Sequence, residues 1–141
     1  MTVHFLGLRV TMTVRFLRCT GERCIAERDI GDAVAFLDSP AARSADLIVA
    51  ADVFAYIGDL GPIFEAVARA LANGGWLAFS VETCEGEGYR LGPAMRFAHS
   101  DPYVRETANR AGLRRRLLTH VSIRREAGLD APGLLGVYAL K

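Results

Sequence analysis

The sequence predicts an α/β domain: parallel strands with packed helices, closed by an antiparallel hairpin. Three observations predict it. Residues 46–51 (DLIVAA) and 76–81 (WLAFSV) are nearly unbroken apolar runs, as expected of strands covered on both faces. Between them Leu60, Ile63, Phe64, Val67 and Leu71 recur at the spacing of one helix face. A strand, a helix and a strand in this order form a right-handed parallel crossover. Residues 113–125 and 134–140 then read as two strands joined by a short Gly/Pro turn, too short for anything but an antiparallel pairing.

The elements follow in order. Residues 2–18 alternate loosely and are rich in Val, Thr and Phe, which predicts one or two short strands. Residues 21–29 are charged and read as a loop or irregular turn. Residues 32–37 (DAVAFL) start a small helix that Ser39-Pro40 breaks. Residues 52–58 form the loop after the first apolar strand. Asp59 is placed to cap the central helix, and Asn73-Gly74-Gly75 to end it, since a left-handed C-terminal residue favours Gly or Asn. Residues 83–99 read as a long polar loop, a kind of segment that often carries function. Ser100 is a second N-cap with Asp101 in the positive first turn. That helix runs to about Ala111 and stops at Gly112. Residues 127–132 read as the hairpin turn. No repeat or low-complexity linker interrupts the chain.

A length of 141 residues fits one domain, and 51% hydrophobic residues suffice for a core. Seventeen basic and sixteen acidic residues leave a net charge of +1, so neither nucleic acid nor an anionic membrane is expected as a main partner. Cys19, Cys24 and Cys84 are an odd set without a signal peptide, which fits a reducing cytoplasm. Cys19 and Cys24 lack a third and fourth ligand nearby, so no metal site is expected. No run of about 18 apolar residues spans a membrane. The opening MTVHFLGLRVTMTVRFLRC is interrupted by Arg9 and Arg15 and has no small-residue cleavage site, unlike a secretory signal.

Three blocks carry a resemblance: DLIVAADVFAYIGDL, ARALANGGWLAFSVE and GEGYRLGPAMRFAHSDPYV, in that order. Over about residues 30–141 the chain resembles the C-terminal half of a class I S-adenosylmethionine (SAM)-dependent methyltransferase domain, like those that often follow tetratricopeptide repeats in bacterial proteins. The resemblance implies a partial Rossmann-like methyltransferase sheet, a truncated domain over residues 26–141, and SAM as cofactor. In such a domain Asp32, with Ala33 beside it, would lie in the acidic loop that receives the adenine amino group. Asp52, Val53 and Phe54 would border the methionine part of the cofactor. Tyr56, Glu82, Tyr89 and Arg96 would form the acceptor side, and His99 or Asp52 would serve as catalytic base. Crevices at the carboxyl ends of parallel strands are where open α/β sheets bind ligands.

The chain also departs from that pattern. No G-x-G precedes Gly86-Glu87-Gly88, which follows the wrong strand for a cofactor loop. Residues 1–25 do not resemble the family and form an atypical N-terminal segment. In the family a first strand lies beside the strand equivalent to residues 46–51. Without it that strand is an apolar edge of the kind that recruits other strands. Either residues 2–18 fold back as a substitute strand, or a second copy or partner chain covers the edge.

Each candidate residue has a plainer reading as well. Asp52 could cap its loop, and Asp32 the following helix. Phe54 and Tyr56 could be packing residues, and His99 a structural hydrogen-bonder. Glu85 and Glu87 could be solvated, and Arg114-Arg115-Arg116 and Arg124-Arg125 solvated strand ends. Two function readings follow. One is a SAM-dependent methyltransferase, whole or truncated, acting on a small-molecule or protein acceptor. No Asn-Pro-Pro-Tyr type motif follows residue 51, which argues against the amino groups of bases or glutamine. The other is a catalytically silent remnant acting as a protein interaction module.

Overall fold

A computed structural model describes the backbone at residues 2–5, 8–11, 14–20, 23–29, 33–126 and 128–141, and the side chains at 33–125 and 128–141 apart from residue 41. The elements are β1 (Thr2–Phe5), β2 (Leu8–Thr11), β3 (Val14–Thr20), β4 (Arg23–Asp29), α1 (Ala33–Leu37), β5 (Ala45–Ala50), α2 (Gly61–Ala70), β6 (Leu71–Thr83), β7 (Tyr89–Leu91), β8 (Phe97–His99), α3 (Asp101–Arg110), β9 (Leu113–Glu126) and β10 (Leu129–Leu140). β1 and β2 pair with each other, and the main sheet has the order β4-β3-β5-β6-β10-β9. β5 and β6 are parallel, while β10 is antiparallel to both β6 and β9. The sheet is therefore mixed, as its sequence pattern predicts, and β9 runs in the same direction as β6.

Alternation within the strands decides what the core contains. Ile48 and Ala50 of β5, and Leu77, Phe79 and Val81 of β6, are buried under the helices. α2 presents Ile63, Phe64, Ala66, Val67 and Ala70 to them, all essentially inaccessible. α2 packs against both α1 and α3, so the three helices form one layer. At its centre Phe79 contacts Phe54, Phe64 and Tyr138, with ring centroids 5.3, 5.4 and 5.7 Å away. Gly136 makes that possible. A Cβ there would stand 2.6 Å from the Phe79 ring.

The flank of β5 away from β6 is occupied by β3, antiparallel, with Arg15 opposite Val49 and Leu17 opposite Leu47. β4 then pairs with β3 along seven residues. Residues 21–29 were expected as a loop, but 23–29 form this edge strand. A charged sequence suits the outermost strand of a sheet.

Other boundaries also moved. α2 ends at Ala70 rather than at Asn73-Gly74-Gly75, because Leu71 already pairs with Ala45 of β5. The glycines serve the turn that follows: Gly74 has φ +74°, and a Cβ on Gly75 would meet the Ala45 carbonyl oxygen at 2.8 Å. Asp59 sits one residue outside the geometric cap, which is Leu60, yet its carboxylate accepts the Gly61 amide at 2.9 Å. Residues 83–99 are not an unbroken loop. β7 and β8 form a hairpin, and β8 joins β6 in parallel at Glu82–Ala98 and Thr83–His99. It uses the ladder positions of β6 left open where β5 stops. The last hairpin is tighter than its sequence suggests: β10 begins at Leu129, and a register shift at Ala131/Pro132 accommodates the proline. Ser100 caps α3, accepting the Tyr103 amide. Among the described residues no helix is long and apolar enough to cross a membrane.

Candidate functional site

The parallel strands β5 and β6 end on the same edge of the sheet, and four of the sequence-predicted residues meet there. Beyond β5 the chain turns through Asp52, whose φ of +56° is left-handed, a conformation Asp tolerates better than most residues. Its amide is held by the Ser80 hydroxyl, 3.2 Å away on β6. A single 3-10 turn, Phe54–Tyr56, follows. It sends Phe54 into the aromatic core and leaves Tyr56 half-buried at the edge. On β6, Phe79 and Val81 point into the core, so Ser80 and Glu82 point to the other side.

Arg96, just before β8, ties these pieces together. Its guanidinium donates to the Asp52 carboxylate, to Glu82 Oε1 at 2.6 Å and to the Tyr56 hydroxyl oxygen at 2.7 Å. It also lies 4.8 Å from the centre of the Tyr56 ring. Arg124 of β9 approaches the same Glu82 oxygen at 2.6 Å. Arg96 is only 12% exposed and Glu82 19%, whereas Asp52 is 62% exposed. Two guanidiniums thus balance two carboxylates, and Asp52 is the member open to an incoming molecule.

The sequence missed Arg124 and Ser80. Its sequence context marks Arg124 as a solvated strand end. Because β9 runs in the same direction as β6, its carboxyl end reaches the same edge, and topology is what brings Arg124 to Glu82. Arg114, Arg115, Arg116 and Arg125 are exposed, as are Glu85 and Glu87.

A second, aromatic group lies beside the first. Tyr89 of β7 packs on Phe97, His99 and Tyr103, with centroids 5.9, 5.9 and 5.3 Å away. His99 is fully buried and stacks on Tyr103. Its Nε2 lies 2.9 Å from the Ile57 carbonyl and 3.0 Å from that of Gly58. Carbonyls only accept, so Nε2 carries the proton, and Nδ1 is a bare acceptor with no partner among the described residues. Tyr103 accepts the Leu60 amide and donates to Asp59. His99 and Tyr103 together hold residues 57–60, between the Asp52 turn and α2.

Burial lowers the His99 pKa from 6.5, more than its backbone hydrogen bonds, or the charge on Glu82, raise it. A pKa depressed on folding leaves stability intact above the unfolded value, near 6.5, and lost as pH falls from there through the folded value. The melting temperature is therefore expected to fall between pH 7 and pH 5. The His99→Gln variant, which keeps a donor for the two carbonyls, should flatten that slope. An unchanged slope would assign it to other groups.

The remaining predicted residues lie elsewhere. Ala33, Val53 and Phe54 are buried in the core, so only their main-chain atoms could face a ligand. Asp32 lies outside the described residues.

No protein-family model matches the chain, and no curated protein does. Solved structures do resemble it. A SAM-dependent methyltransferase from Methanosarcina mazei superposes with a TM-score of 0.60 at 13% identity, covering 79% of this chain and 66% of that one. The 4+2 cyclase SpnF gives 0.62 at 14%, over 79% of this chain and 54% of that one. The 1,6-didemethyltoxoflavin-N1-methyltransferase of Burkholderia thailandensis, solved with 1,6-didemethyltoxoflavin and S-adenosylhomocysteine bound, gives 0.56 at 14%, over 74% and 47%. The chain thus has the Rossmann-like fold of class I SAM-dependent methyltransferases, and spans about half to two thirds of the length of these structures.

Proposed function

We propose that this chain is the C-terminal, acceptor-side part of a cytoplasmic SAM-dependent methyltransferase domain, of the kind associated with tetratricopeptide repeats. The observation that carries the reading is the meeting of Asp52, Tyr56, Glu82 and Arg96 at the carboxyl ends of two parallel strands, the place where this sheet architecture binds ligands. In this reading residues 1–25 are an atypical N-terminal segment that supplies a substitute strand, β3, to the sheet, and 26–141 are the methyltransferase-like domain.

The residues fit the cofactor only in part. Asp52 offers an accessible carboxylate beside the site, and the main chain of Ala33, Val53 and Phe54, with Asp32, would border the cofactor. The strand beside β5 is the antiparallel β3, so the parallel first strand, turn and helix that bring backbone against this cofactor in the family have no counterpart among the described residues. SAM, when bound, supplies an electrophilic methyl group on a sulfonium. Tyr56, Glu82, Tyr89 and Arg96 would orient the acceptor, since methyl transfer depends on in-line placement more than on covalent help. A base is needed where the acceptor must lose a proton. Of the two candidates, Asp52 is reachable from solvent, while Nδ1 of His99 is enclosed. The acceptor is a small molecule or a protein side chain.

The antiparallel β3 favours a second reading, a silent domain retained as an interaction module. Titration with S-adenosylhomocysteine separates the two. The first reading expects micromolar binding that weakens at least tenfold in Asp52→Asn. A folded protein that takes up no heat from this ligand would leave the interaction module and remove the assigned roles of Asp32 and Asp52.

A further inference from the structure

At the opposite end of the sheet from the Asp52 edge, a cavity of about 550 Å³ opens between α3 and the strands β9 and β10. It forms where β9 begins and β10 ends. Arg105, Arg114, Arg115 and Lys141 line it, with Leu113 and Tyr138 supplying apolar wall. One acid, Glu106, also lines it, but its carboxylate is taken by Arg110. Arg105 is paired with Asp101, and Lys141 donates to Asn109 Oδ1 at 2.9 Å. Arg114 and Arg115 are exposed and have no ion pair among the described residues. The cavity is therefore positively charged, with the Arg115 guanidinium uncommitted.

A second observation is independent of charge. Tyr138 is 1% exposed, its ring stacks on Phe79, and its hydroxyl is buried with no hydrogen-bond partner among the described residues. A buried polar group without a partner is costly, and such groups in native proteins mark strain, function or an absent partner. Burial pushes this phenol up to about 12, against the opposing pull of Arg115 and Arg105. It remains a proton donor at neutral pH. Arg115 is its cross-strand partner in the β9–β10 ladder.

We propose that this cavity binds a phosphate-bearing small organic molecule, whose phosphate oxygens accept from Tyr138 and from Arg115, the residue that shares its face of the β9–β10 ladder. A phosphate offers enough acceptor oxygens for this many donors, and guanidiniums match it in a fork. The volume exceeds what inorganic phosphate needs and falls in the range of small-molecule pockets, so the organic part rests on Leu113 and the Tyr138 ring. This site is separate from the Asp52 edge and does not depend on the methyltransferase reading.

The test is calorimetric titration of the whole chain with phenyl phosphate, inorganic phosphate and phenol, none of which resembles SAM. Submillimolar binding of phenyl phosphate, at least tenfold tighter than phenol and not displaced by S-adenosylhomocysteine, supports the site. Arg115→Gln should then weaken it at least tenfold and Tyr138→Phe about fivefold. Without ligand, Tyr138→Phe should melt higher than the parent, since it removes an unsatisfied polar atom and keeps the ring. Absence of saturable binding, equal affinity for phenol and phenyl phosphate, or affinity unchanged in both variants would overturn it.

Discussion

Replacing Phe79 by alanine is expected to remove about 3–5 kcal/mol of stability, the usual cost of truncating a buried phenylalanine. Phe79 is 1% exposed and, among the described residues, is the one ring that contacts Phe54, Phe64 and Tyr138 together. These rings come from the Asp52 loop, α2 and β10, so the vacancy would loosen three elements at once. Close-packed interiors relax only partly around such a gap. The melting temperature should fall by about 10–20 °C, given the shift per kcal/mol typical of domains near this size. Phe79→Leu, which refills most of the volume, should recover more than half of the loss. A drop below about 1 kcal/mol for Phe79→Ala in urea denaturation would mean that the cluster is not a unit of the core.

Replacing Arg96 by alanine is expected to cost about 2–3 kcal/mol. Its guanidinium is 12% exposed and serves Asp52, Glu82 and Tyr56 at once. Removing one side of a buried ion pair leaves the partner desolvated, here a Glu82 that is only 19% exposed. Arg124 still reaches Glu82 at 2.6 Å, which keeps the loss below that of an isolated buried charge. Arg96→Lys should recover little, because a compact ammonium lacks the planar fork that spans these three separated acceptors. A double-mutant cycle with Glu82→Gln measures the pair directly, and a coupling below about 0.5 kcal/mol would show that the two act independently.

Much of the fold was legible because its signals are local. The two apolar runs and the spacing of Leu60, Ile63, Phe64, Val67 and Leu71 depend only on which faces are covered, and all five side chains are buried. Ser100 and Gly112 mark the ends of α3 by the chemistry of single residues. Strand assignments failed where pairing decided the outcome. Residues 23–29 look like a charged loop, yet they pair with β3. Phe97, Ala98 and His99 look like loop, yet they complete the ladder that β5 leaves open.

The site divides in the same way. The sequence by itself determined the α/β class, the central strand–helix–strand unit, and that Asp52, Tyr56 and Glu82 stand at its carboxyl edge, while Arg96 entered only through the family resemblance. Period and position along the chain suffice for that, because side chains alternate along a strand and loops follow strand ends. Only the tertiary structure decided that Arg124 joins them, that His99 is sealed under Tyr89 and Tyr103, and that β3 lies antiparallel beside β5. Those outcomes depend on which strands become neighbours and in which direction. Contacts between residues such as Glu82 and Arg124, or Arg15 and Val49, are far apart in sequence and leave no local pattern to read.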